Sequence, residues 1–179
     1  MRLTNNDTIL AMGDSLTYGF GVSPHESYPS LLSLLTGIKV INAGINGETS
    51  SEGLQRLPSV LHDSSIKFMI LCFGGNDIMQ RLPMKQLKAN LKNMIHLAKE
   101  KNIAVLLVSV PNISLFGLSP LNLYEEVADE ENIPLLSGML TNILENPSLK
   151  SDQIHPNALG YKQMAERIYK KLQNLEIVP

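Results

Sequence analysis

Continuously apolar short runs alternating with helical patterns predict an α/β protein: a three-layer α/β/α sandwich around a five-stranded parallel sheet. Two observations carry that expectation. The runs Ile9-Leu10-Ala11-Met12, Phe68-Met69-Ile70-Leu71-Cys72-Phe73 and Ile103-Ala104-Val105-Leu106-Leu107-Val108 have no polar alternation, as strands covered on both faces require. Between them, apolar residues recur at i, i+3, i+4 and i+7, the signature of one helix face. At 179 residues, 44% of them hydrophobic and 18% charged, one domain over 1–179 buries a full core without staples.

The elements follow in order. Residues 8–12 form the first strand, and Tyr28, Leu31, Leu32 and Leu35 mark one face of the first long helix. Lys39-Val40-Ile41-Asn42 is the second strand. Ser50 and Ser51 are candidate caps for a helix carrying Leu54, Leu57 and Leu61, with Pro58 as a kink or early end. Residues 68–73 form the third strand, closed by Gly74-Gly75. Leu87, Leu91, Met94, Ile95 and Ala98 define the clearest amphipathic helix, ending near Asn102. Residues 103–108 form the fourth strand, stopped by Pro111. A helix over 121–131 leads to a short fifth strand at 134–136. An irregular stretch to Lys150 precedes the final helix, with Tyr161, Met164, Ala165, Ile168 and Leu172 on one side. No internal repeat or linker divides the chain.

Composition excludes several functions. The net charge is −2 and no basic run tracks phosphates, so nucleic acid is not an expected partner. No apolar stretch reaches the roughly 18 residues of a membrane span, so stable insertion is not expected. The single cysteine rules out an internal disulfide, and Cys72, inside an apolar run, reads as a strand residue rather than a reactive thiol. The N-terminus shows no basic start followed by an apolar segment, which points to the cytoplasm, with the periplasm as the alternative if a leader has been removed. Composition says nothing of oligomeric state.

In a parallel sheet, the segments after strands one, two and three leave along one edge, where open α/β sheets bind ligands. They read Gly13-Asp14-Ser15, Ala43-Gly44-Ile45-Asn46-Gly47 and Gly74-Gly75-Asn76-Asp77, and Asp152-Gln153-Ile154-His155-Pro156 precedes the last helix. Alone, Ser15 is as readily a turn or cap residue. Together the segments hold the inventory of acyl transfer: nucleophile, oxyanion donors, base and orienting acid. His155 can take the Ser15 proton, and Asp152, three residues before it, can accept from Nδ1–H and fix the tautomer that turns Nε2 to the serine. Gly44 would let a backbone N–H approach the reacting carbonyl, joined by the Ser15 N–H and the Asn76 amide.

This set resembles the SGNH (GDSL-type) hydrolase family, with Ser15 in Gly-Asp-Ser-Leu, then Gly44, Asn76 in Gly-Gly-Asn-Asp, and His155 in Asp-Gln-Ile-His-Pro. The segments Asn46-Gly47-Glu48-Thr49-Ser50, Leu54-Gln55-Arg56-Leu57-Pro58 and Ile154-His155-Pro156-Asn157 are similar to its bacterial multifunctional thioesterase/lysophospholipase (esterase) subgroup. The resemblance implies a flavodoxin-like fold, no cofactor, a Ser15-His155-Asp152 triad, and hydrolysis of carboxylic esters, acyl thioesters or lysophospholipids through an acyl-Ser15 intermediate.

Other residues carry plainer roles. Asp14 and Asp77 read as turn-holding side chains, Asn157 as the cap of the last helix, and His25, His62 and His96 as ordinary loop or helix residues. Gly19-Phe20-Gly21 lacks the third glycine of a dinucleotide loop, no Gly-x-Ser-x-Gly elbow exists, and no His or Cys cluster has metal-ligand spacing. The expected partner is a small acyl ester or lipid. Candidate substrate contacts in the loop after Asn76 are Ile78 and Met79, and after strand four Ile113, Leu115 and Phe116. Leu16, Ile45 and Pro156 flank the motif residues. Such apolar loop residues could instead tuck under neighbouring helices as satellite core. Two further functions share the pattern: a carbohydrate acetyl esterase, disfavoured by the absence of Trp, and a non-catalytic flavodoxin-like binding module, which leaves Asp152-x-x-His155 with Asn76 unexplained.

Overall fold

The computed structural model describes residues 1–114 and 117–179. At its centre is β1 (Thr8–Gly13), every residue of which is buried. β2 (Lys39–Gly44) and β3 (Ile66–Cys72) flank it, followed in the chain by β4 (Ala104–Val108). A separate antiparallel hairpin, β5 (Asn112–Ser114) and β6 (Gly117–Ser119), comes next, and the short β7 (Leu135–Leu136) completes the main sheet. That sheet is parallel throughout, in the order β2-β1-β3-β4-β7. The five-stranded parallel architecture is therefore the one the apolar runs predict. Lys39 and Asn42 of β2 are exposed, as an edge strand allows.

Eight α-helices accompany the strands among the described residues: α1 (Ser15–Tyr18), α2 (Tyr28–Thr36), α3 (Ser50–Val60), α4 (Gly75–Met79), α5 (Met84–Glu100), α6 (Leu123–Glu131), α7 (Met139–Glu145) and α8 (Ala158–Asn174). α2 packs on α8, while α3 packs on α5 and α5 on α6. Right-handed crossovers put these two groups on opposite faces of the sheet.

The topology also positions the site. The chain winds outward from β1 to β2, then crosses back to β3 on the other side of β1. Strand order thus reverses at β1, the place where α/β sheets open a crevice at their carboxyl edge. Gly13 lies opposite Gly44 on one side and Cys72 on the other, so three loops leave the sheet at one level.

Four local features depart from the sequence expectations. α3 is capped by Thr49 rather than Ser50 or Ser51: Glu52 Oε2 accepts from Thr49 N at 2.8 Å, and Thr49 Oγ1 accepts from Glu52 N at 3.4 Å. Pro58 does not end that helix early: it lies in the last turn, and the helix runs on to Val60. α7 occupies part of the stretch expected to be irregular and buries Met139, Leu140, Ile143 and Leu144. The segment after β4 is a hairpin rather than a loop, and the expected contacts at Leu115 and Phe116 lie outside the described residues.

Asn157 caps α8 as expected, its Oδ1 accepting from Gly160 N at 3.0 Å, and its Nδ2 donates to Ser148 O at 2.9 Å. Asn157→Ala is expected to lower unfolding free energy by about 1 kcal/mol, read from urea denaturation. Asn157→Asp keeps the cap acceptor and should recover most of that loss; equal losses for both variants would assign the effect to the Ser148 contact instead.

Candidate active site

β1 ends at Gly13, and the chain turns at once into α1. Asp14 makes that turn: its Oδ1 accepts from Leu16 N at 3.0 Å, and its carbonyl accepts from Thr17 N and Tyr18 N at 3.1 and 2.9 Å. Ser15 is the first residue of α1, so its N–H has no intrahelical acceptor. Gly19, with φ of 92°, closes the single turn. The result is a serine whose N–H and hydroxyl both stand at the crevice.

Ser15 Oγ lies 3.1 Å from His155 Nε2, and His155 Nδ1 lies 2.8 Å from Asp152 Oδ2. Asp152 Oδ1 accepts from the N–H groups of Ile154 and His155, each at 2.8 Å. Acid and base are thereby held by one tight turn. Burial pulls the Asp152 carboxyl up, but these N–H groups and the imidazole outweigh it and hold it below its ordinary range. An ionised carboxylate only accepts, so the proton sits on Nδ1 and the Nε2 lone pair faces the serine hydroxyl. The turn is clipped at its base by Ser151 N donating to His155 O at 3.0 Å and by a bridge from Lys150 to Pro156.

Sequence reasoning missed Phe20. Its ring packs on the His155 imidazole with centroids 4.4 Å apart and planes tilted by 35°, and its carbonyl accepts from Tyr161 Oη at 3.2 Å. The available signal was an aromatic residue between Gly19 and Gly21, both of which adopt positive φ.

Asn76, in α4, brings its amide to the same crevice. Nδ2 donates to Glu48 O at 2.9 Å and, more loosely, to Asp14 Oδ2 at 3.3 Å. Asp77 instead reaches α3, accepting from Ser50 N at 2.9 Å and Ser50 Oγ at 2.6 Å. Both aspartates hold turns and helix ends, as the sequence suggested.

Gly44 requires a correction. Ile45 N donates to Gly13 O across the β1–β2 pair, so the alternate N–H of Gly44 points to the open edge of the sheet. There it donates to Asn42 Oδ1 at 3.0 Å. The absence of a side chain at Gly44 serves packing instead: a Cβ would collide with the backbone of Thr17 and Tyr18, so this glycine seats α1 on β2. Gly47, three residues on, was missed. It has φ of 77°, is exposed, and among the described residues its N–H donates to nothing. Its neighbour Glu48 supplies the carbonyl that holds Asn76.

A cleft beside Ser15 is walled by Leu16, Met79, Val110, Leu144 and Ile154, with Asn76 and His155 at its head. Of the expected substrate contacts, Leu16 and Met79 line it. Ile45 is 47% exposed and stands outside that lining, Ile78 packs against the core, and Pro156 is buried in the clipped turn. Ile113 falls on β5, whose backbone runs beside α4. Val110, Leu144 and Ile154 were not foreseen. Cys72 is buried and its thiol is pushed well up by desolvation. Among the described residues no group of three or more His, Cys, Asp or Glu could hold a metal, and no helix is long and apolar enough to cross a membrane.

This combination of sheet, turn and polar side chains has counterparts among known proteins. The model of the GDSL-like lipase/acylhydrolase family matches residues 11–163, and the chain belongs to that family of acyl hydrolases. It is 30% identical over 181 residues to the thioesterase 1/protease 1/lysophospholipase L1 of Escherichia coli strain K12, covering 97% of this chain and 87% of that protein. It is 29% identical over 177 residues to an arylesterase of Vibrio mimicus, covering 93% and 88%. The solved structure of TesA superposes with a TM-score of 0.85 at 26% identity, over 94% of this chain and 99% of that one.

Desolvation, aided by the charges of Asp77 and Glu48, pushes the Asp14 carboxyl up to about 7 from 3.8, against the pull of the Leu16 N–H. The folded state therefore binds this proton more tightly than the unfolded chain. The stability it contributes is full below about pH 4 and is lost as pH rises through about 7. Asp14→Asn should flatten the fall in stability over that window, measured by urea titrations at several pH values. An unchanged slope would show that Asp14 is ionised in the fold throughout.

Proposed function

We propose that this acyl hydrolase works through an acyl-Ser15 intermediate on carboxylic esters and thioesters whose acyl chain lies in the cleft beside Ser15. The observation that carries the mechanism is the continuous hydrogen-bonded line from Ser15 Oγ through His155 to Asp152. His155 Nε2 accepts the Ser15 proton as Oγ attacks the carbonyl carbon. The oxygen of the tetrahedral intermediate is taken by the Ser15 N–H, the Gly47 N–H and the Asn76 Nδ2 hydrogen that in the free site is loosely directed at Asp14 Oδ2, with Nδ2 and Oδ2 3.3 Å apart. His155 then returns the proton to the departing alkoxide or thiolate, leaving the acyl group on Ser15. Water enters, gives a proton to His155 and attacks the acyl carbon, and Oγ leaves with that proton. Gly47 replaces Gly44 in this scheme because the Gly44 N–H is taken by Asn42 Oδ1, whereas among the described residues the Gly47 N–H has no acceptor and the next residue, Glu48, holds Asn76.

The walls of the cleft support an aliphatic acyl chain, each buried CH₂ of which contributes about 0.8 kcal/mol. The thioesterase, lysophospholipase and arylesterase names of the relatives fit such a substrate with varied leaving groups.

Ser15→Ala should fold normally, lose turnover and no longer react with a fluorophosphonate probe; labelling that survives in this variant would place the nucleophile elsewhere. Asn76→Ala should lower kcat by roughly 10²–10³ with little change in KM, since its donor acts in the transition state. A rise in KM at constant kcat would make Asn76 a ground-state contact.

On p-nitrophenyl esters of increasing length, kcat/KM should climb from acetyl toward medium chains. Leu144→Ala should weaken that climb while leaving acetyl ester turnover in place. A profile peaked at acetyl would overturn the chain-binding cleft and favour a carbohydrate acetyl esterase.

A further inference from the structure

Arg56 is a polar residue of α3 that neither touches Ser15 nor lines the cleft, yet it gathers the loops that build the site. Its Nε and Nη2 each donate to the Glu48 carboxylate at 2.6 Å, a two-pronged pair. Nη2 also donates to Ala43 O at 2.6 Å and reaches Gly13 O at 3.4 Å. Gly13 ends β1 immediately before Asp14 and Ser15. Ala43 stands near the end of β2, and Glu48 follows Gly47. The Glu48 carbonyl in turn accepts from Asn76 Nδ2. One guanidinium therefore meets, directly or through Glu48, the segments that supply Ser15 N–H, Gly47 N–H and the Asn76 amide.

From this arrangement we infer that Arg56 is a positioning residue for the oxyanion site, acting through Glu48 to fix the 45–49 turn and Asn76. The inference rests on the oxyanion roles proposed above for Gly47 and Asn76.

The chemistry of the two side chains suits this role. Arg56 is 21% exposed and Glu48 only 6%, so the carboxylate depends on its partner for neutralisation. A guanidinium is planar and always charged, and its fixed fork can grip a carboxylate while another hydrogen reaches a strand-end carbonyl. A lysine supplies charge at one point and cannot span carboxylate and carbonyl in the same plane. Releasing the Glu48 turn would let Asn76 follow, and donors displaced by an ångström lose much of their effect in the transition state while substrate binding barely changes.

A purely structural pair would also stabilise the fold, so stability alone does not separate the two roles. The test is a double-mutant cycle between Arg56→Gln and Asn76→Ala, with kcat expressed per folded, fluorophosphonate-reactive Ser15. The expected result for Arg56→Gln alone is a fall in kcat of about tenfold or more at nearly constant KM. In the Asn76→Ala background the same change should cost less than about threefold, because neighbours acting as a unit are not additive. Arg56→Lys should recover stability more fully than kcat.

Full additivity with Asn76→Ala, or unchanged kcat in a destabilised Arg56→Gln, would overturn the inference and leave Arg56 as a fold contact. Should Arg56→Gln not fold, Glu48→Gln breaks the same pair from the other side, with the same expected pattern in the cycle. If Asn76→Ala by itself leaves kcat unchanged, the proposed oxyanion site fails, an outcome distinct from additivity at Arg56.

Discussion

The reversal of strand order at β1 is the constraint on which the site depends. Outward winding to β2 and return to β3 leave the ends of adjacent strands without a connection covering them. The segments leaving β1 and β3 diverge there, and Ser15 and Asn76 stand in the first turns of the helices that follow, α1 and α4. Because Gly13, Gly44 and Cys72 are in register, no long loop is needed to bring these groups to one level. The nucleophile and the amide thus owe their placement to hydrogen-bonded strands, which are stiffer than loops.

That crevice concentrates negative charge in a buried place. Asp14, Glu48 and Asp77 are all nearly inaccessible, and each is satisfied differently. Asp77 takes the hydroxyl and N–H at the start of α3, Glu48 takes the guanidinium, and Asp14 takes the Leu16 N–H with a long contact to Asn76. Asp14 has the weakest compensation, and desolvation pushes its carboxyl up. The same carboxylate joins the nucleophile turn to Asn76. The proposed oxyanion site is thus flanked by buried acids that accept from fixed donors: the Leu16 N–H, the Ser50 N–H and hydroxyl, and the Arg56 guanidinium.

Much of this was legible in the sequence, for definite reasons. Strands buried on both faces advertise themselves as unbroken apolar runs, so β1, β3 and β4 were readable within a residue or two. Asp152 and His155 are close in sequence and their pairing is a local turn, so it too could be anticipated. The direction of the Gly44 N–H was not legible, because two glycines stand three residues apart and the direction of an N–H in a strand is settled only by pairing with its neighbour. α7 escaped notice because its apolar positions form one short patch between Gly138 and Asn146. Val110 and Leu144 join the cleft across long sequence separations that no local pattern encodes.

The parts of the relay come from distant points of the chain: Ser15 and His155 are 140 residues apart, while Asp152 lies beside His155. In a chain synthesised from its amino end, the sheet and its nucleophile turn emerge from the ribosome well before the acid and base. Until α8 docks against α2 and brings the clipped turn over Ser15, the serine has no partner to take its proton. The relay of Ser15, His155 and Asp152 therefore waits for the closing of the fold, and its assembly belongs to the last part of the chain to be made.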